Sequence, residues 1–321
     1  MTKISEKYLV TGGAGFIGSH LVRRLVAEGK TVRVVDNLST GQVSRLADLM
    51  PAIEFVEGDL AEERVSQDAV KAIDYVLHQA AVPSVQRSVQ DPVGTNRANI
   101  NATLNLLESC RKAPVRRLVY AASSSAYGDT EVLPKKEDMA ANPLSPYALQ
   151  KLAGEQYCKL YHRLYGLETV SLRYFNVFGP DQDPDSEYSA VIPRFTTKLL
   201  AAEPLTVYGD GEQSRDFTYI ENVVEANLLA LRAKEAPGTV CNIGCGEKIT
   251  LNQLIQILEK ITDAKARVSY AAAKPGDVRH SLADIRRAEA VLHYQPKITV
   301  EEGLRRTVAA YRSGIAARSP S

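Results

Sequence analysis

The chain has 321 residues, 45% hydrophobic and 24% charged, which fits one large globular domain or two modest ones. Lys and Arg (39) nearly balance Asp and Glu (38), which argues against a general nucleic-acid-binding surface. No apolar run approaches the roughly 18 residues of a membrane span, and the first residues (M-T-K-I-S-E-K) contain no apolar signal core. We therefore expect a cytoplasmic protein with no nucleic-acid or membrane partner.

The predicted elements alternate strands and helices over the first part of the chain, a pattern typical of β-α-β units and a parallel sheet. Strands are predicted over residues 8–11, 31–36, 53–56, 75–78, 117–122 and 169–173. After Asn176 the pattern loosens, and a loop at 179–185 leads into a smaller lobe. Helices are predicted there near residues 193–202, 222–234, 251–261 and 300–311.

A glycine-rich segment, T-G-G-A-G-F-I-G, lies between the first strand and the first helix and contains Gly12, Gly15 and Gly18. Glycines permit a tight turn and let the backbone approach a pyrophosphate, which the helix N-terminus then stabilises. Asp36 ends the second strand, where its carboxylate would accept hydrogen bonds from an adenosine ribose. The same carboxylate would repel a 2′-phosphate, so the segment predicts NAD rather than NADP.

Two further strand ends extend this predicted cofactor site. Asp59 follows the third strand and either faces the adenine or serves as a turn residue. Gln79, Ala80 and Ala81 follow the fourth strand, and the small residues among them would let a cofactor pass closely.

The stretch S-P-Y-A-L-Q-K predicts a helix start, with Ser145 as N-cap and Pro146 in the first turn. Tyr147 and Lys151 are then four residues apart on one helical face. A neighbouring ammonium and the helix N-terminus both favour a phenolate, so the pKa of Tyr147 is predicted to fall. Tyr147 would then be a usable base near neutral pH.

Together these motifs resemble the extended short-chain dehydrogenase/reductase family, and within it the nucleotide-sugar 4-epimerases. The resemblance also covers the segments D-N-L-S-T-G, S-S-S-A-Y-G, R-Y-F-N-V-F-G-P, G-D-G-E-Q-S-R-D-F and K-P-G-D-V-R-H-S. It implies an α/β fold: a Rossmann-type doubly wound parallel sheet (residues 1–176, with later segments returning to it) and a smaller C-terminal substrate lobe (mainly 177–321). It further implies bound NAD, a UDP-sugar substrate, and a homodimer built on helices near 97–112 and 147–165.

The resemblance also assigns residues to the site. It implies that Tyr147 is the acid/base at the sugar 4-hydroxyl, that Lys151 tunes this tyrosine and holds the nicotinamide ribose, and that Ser123 hydrogen-bonds the reacting hydroxyl. The implied cofactor residues are Gly12, Gly15, Phe16, Ile17, Gly18, Asp36, Asn37, Asp59, Leu60, Gln79, Ala80, Ala81, Asn99, Tyr147, Lys151 and Tyr174. The implied substrate residues are Ser123, Ser124, Ser125, Asn176, Val191, Tyr208, Arg215, Asp277 and Ser281.

One segment departs from the family pattern. The family usually has Arg-x-Gly-Asp where this chain has Lys274-Pro275-Gly276-Asp277. A lysine offers a point charge in place of a two-pronged contact, so the diphosphate would be held more weakly or with help from Arg279.

Other reactions of this family lack their residues here. Dehydratases carry an Asp-Glu pair and decarboxylases a glutamate where this chain has Ser124 and Ser125. Glucuronate epimerases should supply a cation for the sugar carboxylate, whereas the loop after residue 178 offers Asp181 and Asp183. A non-catalytic NAD-binding scaffold usually loses the tyrosine or the lysine, and this chain keeps both. Epimerisation at C4 is therefore the predicted reaction.

Substrate choice is predicted from Ser281. In the family a tyrosine at this position goes with glucose and galactose only, whereas a smaller residue goes with N-acetyl sugars as well. Ser281 therefore predicts that both substrate pairs are accepted, unless it merely caps a turn. No metal site is predicted, because Cys241 and Cys245 have no second pair of ligands nearby.

Overall fold

The computed structural model describes residues 6–183, 191–272 and 278–318, with side chains described as far as residue 313. The strands, in chain order, are β1 (Lys7–Thr11), β2 (Thr31–Asp36), β3 (Ile53–Glu57), β4 (Tyr75–His78), β5 (Arg117–Ser123), β6 (Glu168–Tyr174), β7 (Val177–Phe178), β8 (Leu205–Tyr208), β9 (Ser214–Arg215), β10 (Thr218–Tyr219), β11 (Val240–Ile243), β12 (Ile249–Thr250) and β13 (Val268–Ala271). The helices are α1 (Phe16–Ala27), α2 (Glu63–Ala69), α3 (Val85–Gln90), α4 (Pro92–Asn96), α5 (Ala102–Lys112), α6 (Pro146–Tyr165), α7 (Val191–Leu200), α8 (Ile220–Arg232), α9 (Leu251–Thr262), α10 (Arg286–Leu292) and α11 (Val300–Arg318).

Seven strands of the described chain form one parallel sheet in the order β11-β6-β5-β4-β1-β2-β3. The order reverses between β1 and β4, which is the switch point at which doubly wound sheets bind ligands. The predicted fold class is therefore confirmed. Strand β11 pairs with β6 although it lies late in the chain.

Successive residues of each strand point to opposite faces of the sheet. Helices cover both faces, so side chains on both are buried. In β1, Val10 packs into a cluster with α1 and α8, whereas Leu9 packs into a second cluster with α5 and α6. Val34 and Val35 of β2 divide in the same way.

Outside the main sheet, the described residues form three further two-stranded pairs. Strand β8 pairs with β13, β9 with β12, and β7 with β10. Helix α9 packs against α7 and α11. Among the helices described, none is both long and apolar enough to cross a bilayer.

Candidate active site

A cavity of about 910 Å³ lies along the carboxyl ends of the parallel strands. Its wall includes Gly12 after β1, Asp36 at the end of β2, Gln79 after β4, Ser123 at the end of β5 and Tyr174 at the end of β6. These residues are far apart in sequence, and the parallel sheet brings them to one edge. The cavity wall also contains the predicted residues Gly15, Phe16, Ile17, Gly18, Asn37, Asp59, Leu60, Ala80, Ala81, Ser124, Ser125, Tyr147, Lys151, Asn176, Arg215 and Ser281.

The glycine-rich turn is closely packed against the loop after β4. Gly12 has a φ of +65°, and a Cβ there would lie 2.7 Å from the backbone of Ala80. A Cβ on Gly18 would lie 2.1 Å from the carbonyl oxygen of Gly12. Helix α1 begins after Gly15 with no side-chain cap, and its first residues line the cavity. Their N–H groups can therefore donate hydrogen bonds to an anion there. This arrangement fits a pyrophosphate.

Asp36 is held in place by the backbone around it. One carboxylate oxygen accepts the N–H of Ala14 at 2.9 Å, and the other accepts that of Leu38 at 2.8 Å. Burial raises the pKa of Asp36, although these hydrogen bonds and nearby Arg45 lower it. A carboxylate fixed at this edge suits ribose hydroxyls and disfavours an added phosphate. The residues present therefore fit NAD.

Asp59 makes the turn contact that was one of its two predicted roles. Its side chain accepts the N–H of Ala61 at 2.9 Å, which is a turn contact, and the residue also lines the cavity. The guanidinium of Arg97 lies 3.7 Å from its other carboxylate oxygen.

A buried chain of hydrogen bonds, which sequence reasoning missed, supports the loop after β4. Thr11 Oγ1 accepts the N–H of Ala80 at 3.3 Å and lies 2.7 Å from His78 Nδ1. His78 Nε2 lies 3.0 Å from Thr103 Oγ1, which donates to the carbonyl oxygen of Asn99 at 2.6 Å. Burial lowers the pKa of His78 to about 3, so the imidazole is neutral.

The predicted catalytic hydroxyls both lie in the cavity wall, Ser123 at the end of β5 and Tyr147 at the start of α6. The side chain of Ser123 lowers the pKa of Tyr147, against the larger effect of burial. Ser123 Oγ accepts the hydroxyl of Ser125 at 2.8 Å. Ser145 caps α6 by accepting the N–H of Ala148, which fixes the first turn as the sequence predicted.

The predicted effect of Lys151 on Tyr147 is wrong for this structure. Lys151 Nζ donates to the carbonyl oxygen of Ala121 at 2.7 Å and lies 5.1 Å from the ring centroid of Tyr120. Burial lowers the pKa of Lys151 to about 8. Burial also raises the pKa of Tyr147, and the side chain of Ser123 opposes this rise. The ammonium group of Lys151 thus donates to a carbonyl oxygen on β5, whereas the helix spacing alone predicted that it would lie near Tyr147.

We call the part of the cavity to which the resemblance assigns the substrate the substrate half, and three segments form it. Asn176 donates to the carbonyl oxygen of Asp216 at 3.0 Å. Arg215 Nη1 donates to the carbonyl oxygens of Ser214 and Arg279, at 3.0 and 3.2 Å. Ser281 donates its N–H to the carbonyl oxygen of Ser214 at 3.0 Å, so it lines the cavity and also belongs to a turn contact.

Not every predicted residue lies in the cavity wall. Asn99 lies outside it: its side chain accepts the N–H of Val82 at 2.7 Å and donates to Gln150 at 2.7 Å. Asn99 therefore supports the loop at Val82. Val191 and Tyr208 are also absent from the wall. The segment with Lys274 and Asp277, and their predicted roles, lie outside the described residues.

Several cavity residues were missed by the sequence analysis. The first group belongs to the loop and helix after β4 and consists of Pro83, Ser84, Gln86 and Arg87. Arg45 lies in the segment before β3, Lys135 in the loop between β5 and α6, and His280 in the segment before α10. The only sequence signal for the first group was its direct continuation from a strand end. Within the described part of the chain, no cluster of His, Cys, Asp or Glu could hold a metal ion.

Comparison with known proteins identifies the family. The model of the NAD dependent epimerase/dehydratase family matches residues 8–244. The chain belongs to this family. The predicted resemblance is thus confirmed, and the prediction of NAD as cofactor is confirmed for the family to which the chain belongs.

Similar proteins within the family include several UDP-sugar enzymes. A putative UDP-glucose 4-epimerase of Methanocaldococcus jannaschii is 40% identical over 302 residues, covering 94% of this chain and 96% of that protein. A UDP-glucuronate 4-epimerase of Thermodesulfobacterium geofontis is 38% identical, covering 94% of each. The structure of a UDP-N-acetylglucosamine 4-epimerase from Methanobrevibacter ruminantium, in complex with UDP-N-acetylmuramic acid, has a TM-score of 0.92 at 39% identity and covers 97% of this chain and 99% of that one. The chain is thus an NAD-dependent enzyme of the UDP-sugar 4-epimerase group.

Proposed function

We propose that the protein inverts C4 of UDP-hexoses, interconverting UDP-glucose with UDP-galactose and UDP-N-acetylglucosamine with UDP-N-acetylgalactosamine. The observation that carries the proposal is that Tyr147 and Ser123 share the wall of the cavity that also contains the glycine-rich turn. A sugar hydroxyl placed between these two side chains would have a proton acceptor and a second hydrogen-bond partner. Similarity to glucose and N-acetylglucosamine 4-epimerases supports the same reaction.

The proposed roles follow from the chemistry of each side chain. Tyr147 takes the proton of the 4-hydroxyl while Ser123 orients that hydroxyl, and Tyr147 returns the proton after the sugar has turned. NAD, held by the glycine-rich turn and Asp36, would supply the hydride acceptor at C4 and afterwards the hydride donor. Since burial raises the pKa of Tyr147, its role as base requires a nearby cation. Lys151 lies one turn further along the same helix and would have to exchange its contact with the carbonyl oxygen of Ala121 for one near the tyrosine.

The positions beside Ser123 support epimerisation over elimination. Ser124 and Ser125 stand in the cavity wall where dehydratases need an Asp-Glu pair and decarboxylases a glutamate. Hydroxyls there cannot act as the carboxylate acids and bases of those reactions near neutral pH.

A second candidate substrate is UDP-glucuronate. Lys135 lines the cavity, and only 2% of its surface is exposed. It places a cation in the cavity wall, which a sugar carboxylate would require. Its ammonium donates to the carbonyl oxygen of Thr130. The glucuronate 4-epimerase among the relatives supports testing this substrate.

We also propose that the protein is a homodimer. Helix α6 carries the exposed apolar side chains Leu149, Leu160 and Leu164, whose exposed fractions are 55%, 40% and 59%. Apolar side chains in such a row on one helix favour burial against a partner.

The function is tested by incubating the purified protein and catalytic NAD with each UDP-hexose and following the epimers by NMR. Turnover of UDP-glucose and UDP-N-acetylglucosamine is expected, without net release of NADH. Tyr147→Phe should lower kcat about 10² to 10⁴-fold while leaving UDP-sugar binding nearly unchanged. Tyr270→Phe, at an exposed tyrosine of β13, is the matched control and should retain activity. Turnover of UDP-glucuronate alone would favour the second candidate, and stoichiometric NADH would indicate a dehydrogenase.

A further inference from the structure

Asp216 is a buried carboxylate at the junction between β9 and β10, and none of its surface is exposed. One carboxylate oxygen accepts the N–H of Cys245 at 2.8 Å. The other accepts the N–H of Gly246 at 3.0 Å and that of Ala283 at 3.1 Å. Three backbone donors from two separate segments therefore converge on one side chain.

These contacts join the segments that form the substrate half of the cavity. Asp216 follows Arg215 directly in the chain, and its carbonyl oxygen accepts the side chain of Asn176 at 3.0 Å. Ala283 lies two residues after Ser281, so the contact to Ala283 fixes the wall that Ser281 forms. The backbone at Gly244 packs closely against Asp216, because a Cβ on Gly244 would lie 2.8 Å from the carboxylate.

We propose that Asp216 is a positioning residue whose ionised carboxylate holds Arg215, Asn176 and the Ser281 wall in their binding arrangement, so that UDP-sugar affinity depends on its ionisation. The inference rests on the proposed function, since it names the control of that same site. No catalytic contact is assigned to Asp216.

Protonation would break this arrangement for a stereochemical reason. An ionised carboxylate offers only acceptors, and all three N–H groups use them. A protonated carboxyl group turns one oxygen into a donor, which then faces an N–H. Either the loop at Gly246 or the wall at Ala283 must move away.

The ionisation takes place in an accessible pH range. Burial raises the pKa of Asp216 to about 6, although the three backbone N–H groups lower it and Glu247 adds to the rise. The carboxylate is therefore ionised above about pH 6 and protonated below it. The other titratable or charged groups near it are Arg215, Cys245, Glu247, His280 and Tyr294.

His280 also lines the cavity, with its Nδ1 2.8 Å from Ser214 Oγ. Positive charge in the cavity wall strengthens the binding of an anionic diphosphate and does not weaken it. A loss of affinity in acid therefore points to a lost carboxylate, Asp216, and not to His280.

The first measurement is the Kd of the wild-type holoprotein for UDP-N-acetylglucosamine by calorimetry at about pH 7.5 and about pH 5. This ligand is suitable because its diphosphate diester does not titrate between these values, unlike the terminal phosphate of UDP. We expect binding to weaken roughly fivefold at the lower pH, as a difference of one pKa unit between free and bound protein would produce about one unit below the pKa of the free protein. A Kd that is unchanged or tighter in acid overturns the inference, whereas no binding at either pH contradicts the proposed function itself.

The second measurement uses Asp216→Asn, which cannot ionise. Its Kd at about pH 7.5 should rise toward the acid value of the wild type and become independent of pH, and its KM should change more than its kcat. Asp284→Asn is the matched control, because Arg286 lowers the pKa of Asp284 and this aspartate stays ionised throughout. The control should keep the wild-type pH dependence. An Asp216→Asn protein that retains the wild-type pH dependence would overturn the assignment.

Discussion

Ser88 Oγ accepts the main-chain N–H of Tyr147 at 3.0 Å. Tyr147 lies in the first turn of α6, where backbone N–H groups have no acceptor within the helix. Ser88 in turn donates its hydroxyl to the carbonyl oxygen of Val85 at 2.6 Å. The buried Ser88 thus connects the cavity loop after β4 to the proposed catalytic tyrosine.

Replacement of Ser88 by alanine should therefore lower kcat more than it raises KM. The lost hydrogen bond leaves the N–H of Tyr147 unpaired and loosens its position, for which about 1 kcal/mol, or roughly a fivefold loss in kcat, is expected. Ser109→Ala is the control, because the hydroxyl of the buried Ser109 bonds only its own helix at Asn105. Steady-state kinetics check this, and equal effects of both variants would contradict the positioning role.

Replacement of Ser281 by tyrosine should suppress activity on N-acetylated substrates selectively. Overpacking typically costs about 1 to 3 kcal/mol, which is roughly 5 to 150-fold in kcat/KM for the bulkier sugar. Ser269→Tyr, at an exposed position of β13, is the control. If the Ser281 variant loses both activities equally, or if the wild type is inert toward N-acetyl sugars, Ser281 does not select the substrate.

His78 should make the protein less stable in acid. Its pKa is about 3 when folded and about 6.5 when unfolded, so the unfolded chain binds more protons below about pH 6.5. The free energy of unfolding should then fall by about 2 kcal/mol between about pH 7.5 and about pH 5 because of this residue alone. Urea denaturation of His78→Asn should show a correspondingly smaller pH dependence.

The control for this measurement is His293→Asn, since His293 is exposed and Asn tolerates its positive φ of 57°. This control should retain the full pH dependence. Identical pH slopes for wild type and His78→Asn would show that His78 is not the group responsible.

The proposed dimer is tested by placing a charge on α6. Leu160→Glu and Leu164→Glu should yield monomers in light scattering, because a buried unpaired carboxylate is unfavourable at an interface. Val132→Glu is the control, as Val132 is 61% exposed and lies away from α6. Dimers in all three variants would exclude this helix as the interface.

The sequence predicted six strands of the main sheet, which are short runs in the part of the chain where strands and helices alternate. It did not predict β11, V-C-N-I, which lies after the point where that alternation loosens. Asn242 is fully buried there, because its side chain accepts the hydroxyl of Tyr127 at 2.7 Å and donates to the carbonyl oxygen of Lys135 at 2.9 Å. These partners come from distant segments, so local sequence carried no sign of them.

The candidate site shows the same division between local and tertiary effects. Residues at strand ends, such as Asp36 and Ser123, were predicted because the position alone brings them to the cavity. Lys151 and Asn99 do not have the contacts predicted for them. The ammonium group of Lys151 donates to the carbonyl oxygen of Ala121, and the side chain of Asn99 accepts the N–H of Val82. Helix spacing predicts which residues can meet, but competing tertiary hydrogen bonds decide which do.

The central claim, inversion at C4 by Tyr147 and bound NAD, is tested most directly with UDP-N-acetylglucosamine that carries deuterium at C4. If the hydride leaves C4 and returns to it within the cavity, the UDP-N-acetylgalactosamine formed in ordinary water will keep the label at C4, and Tyr147→Phe will form almost no product. Product that has exchanged the label with solvent, or the same rate from Tyr147→Phe as from the wild type, would contradict the account.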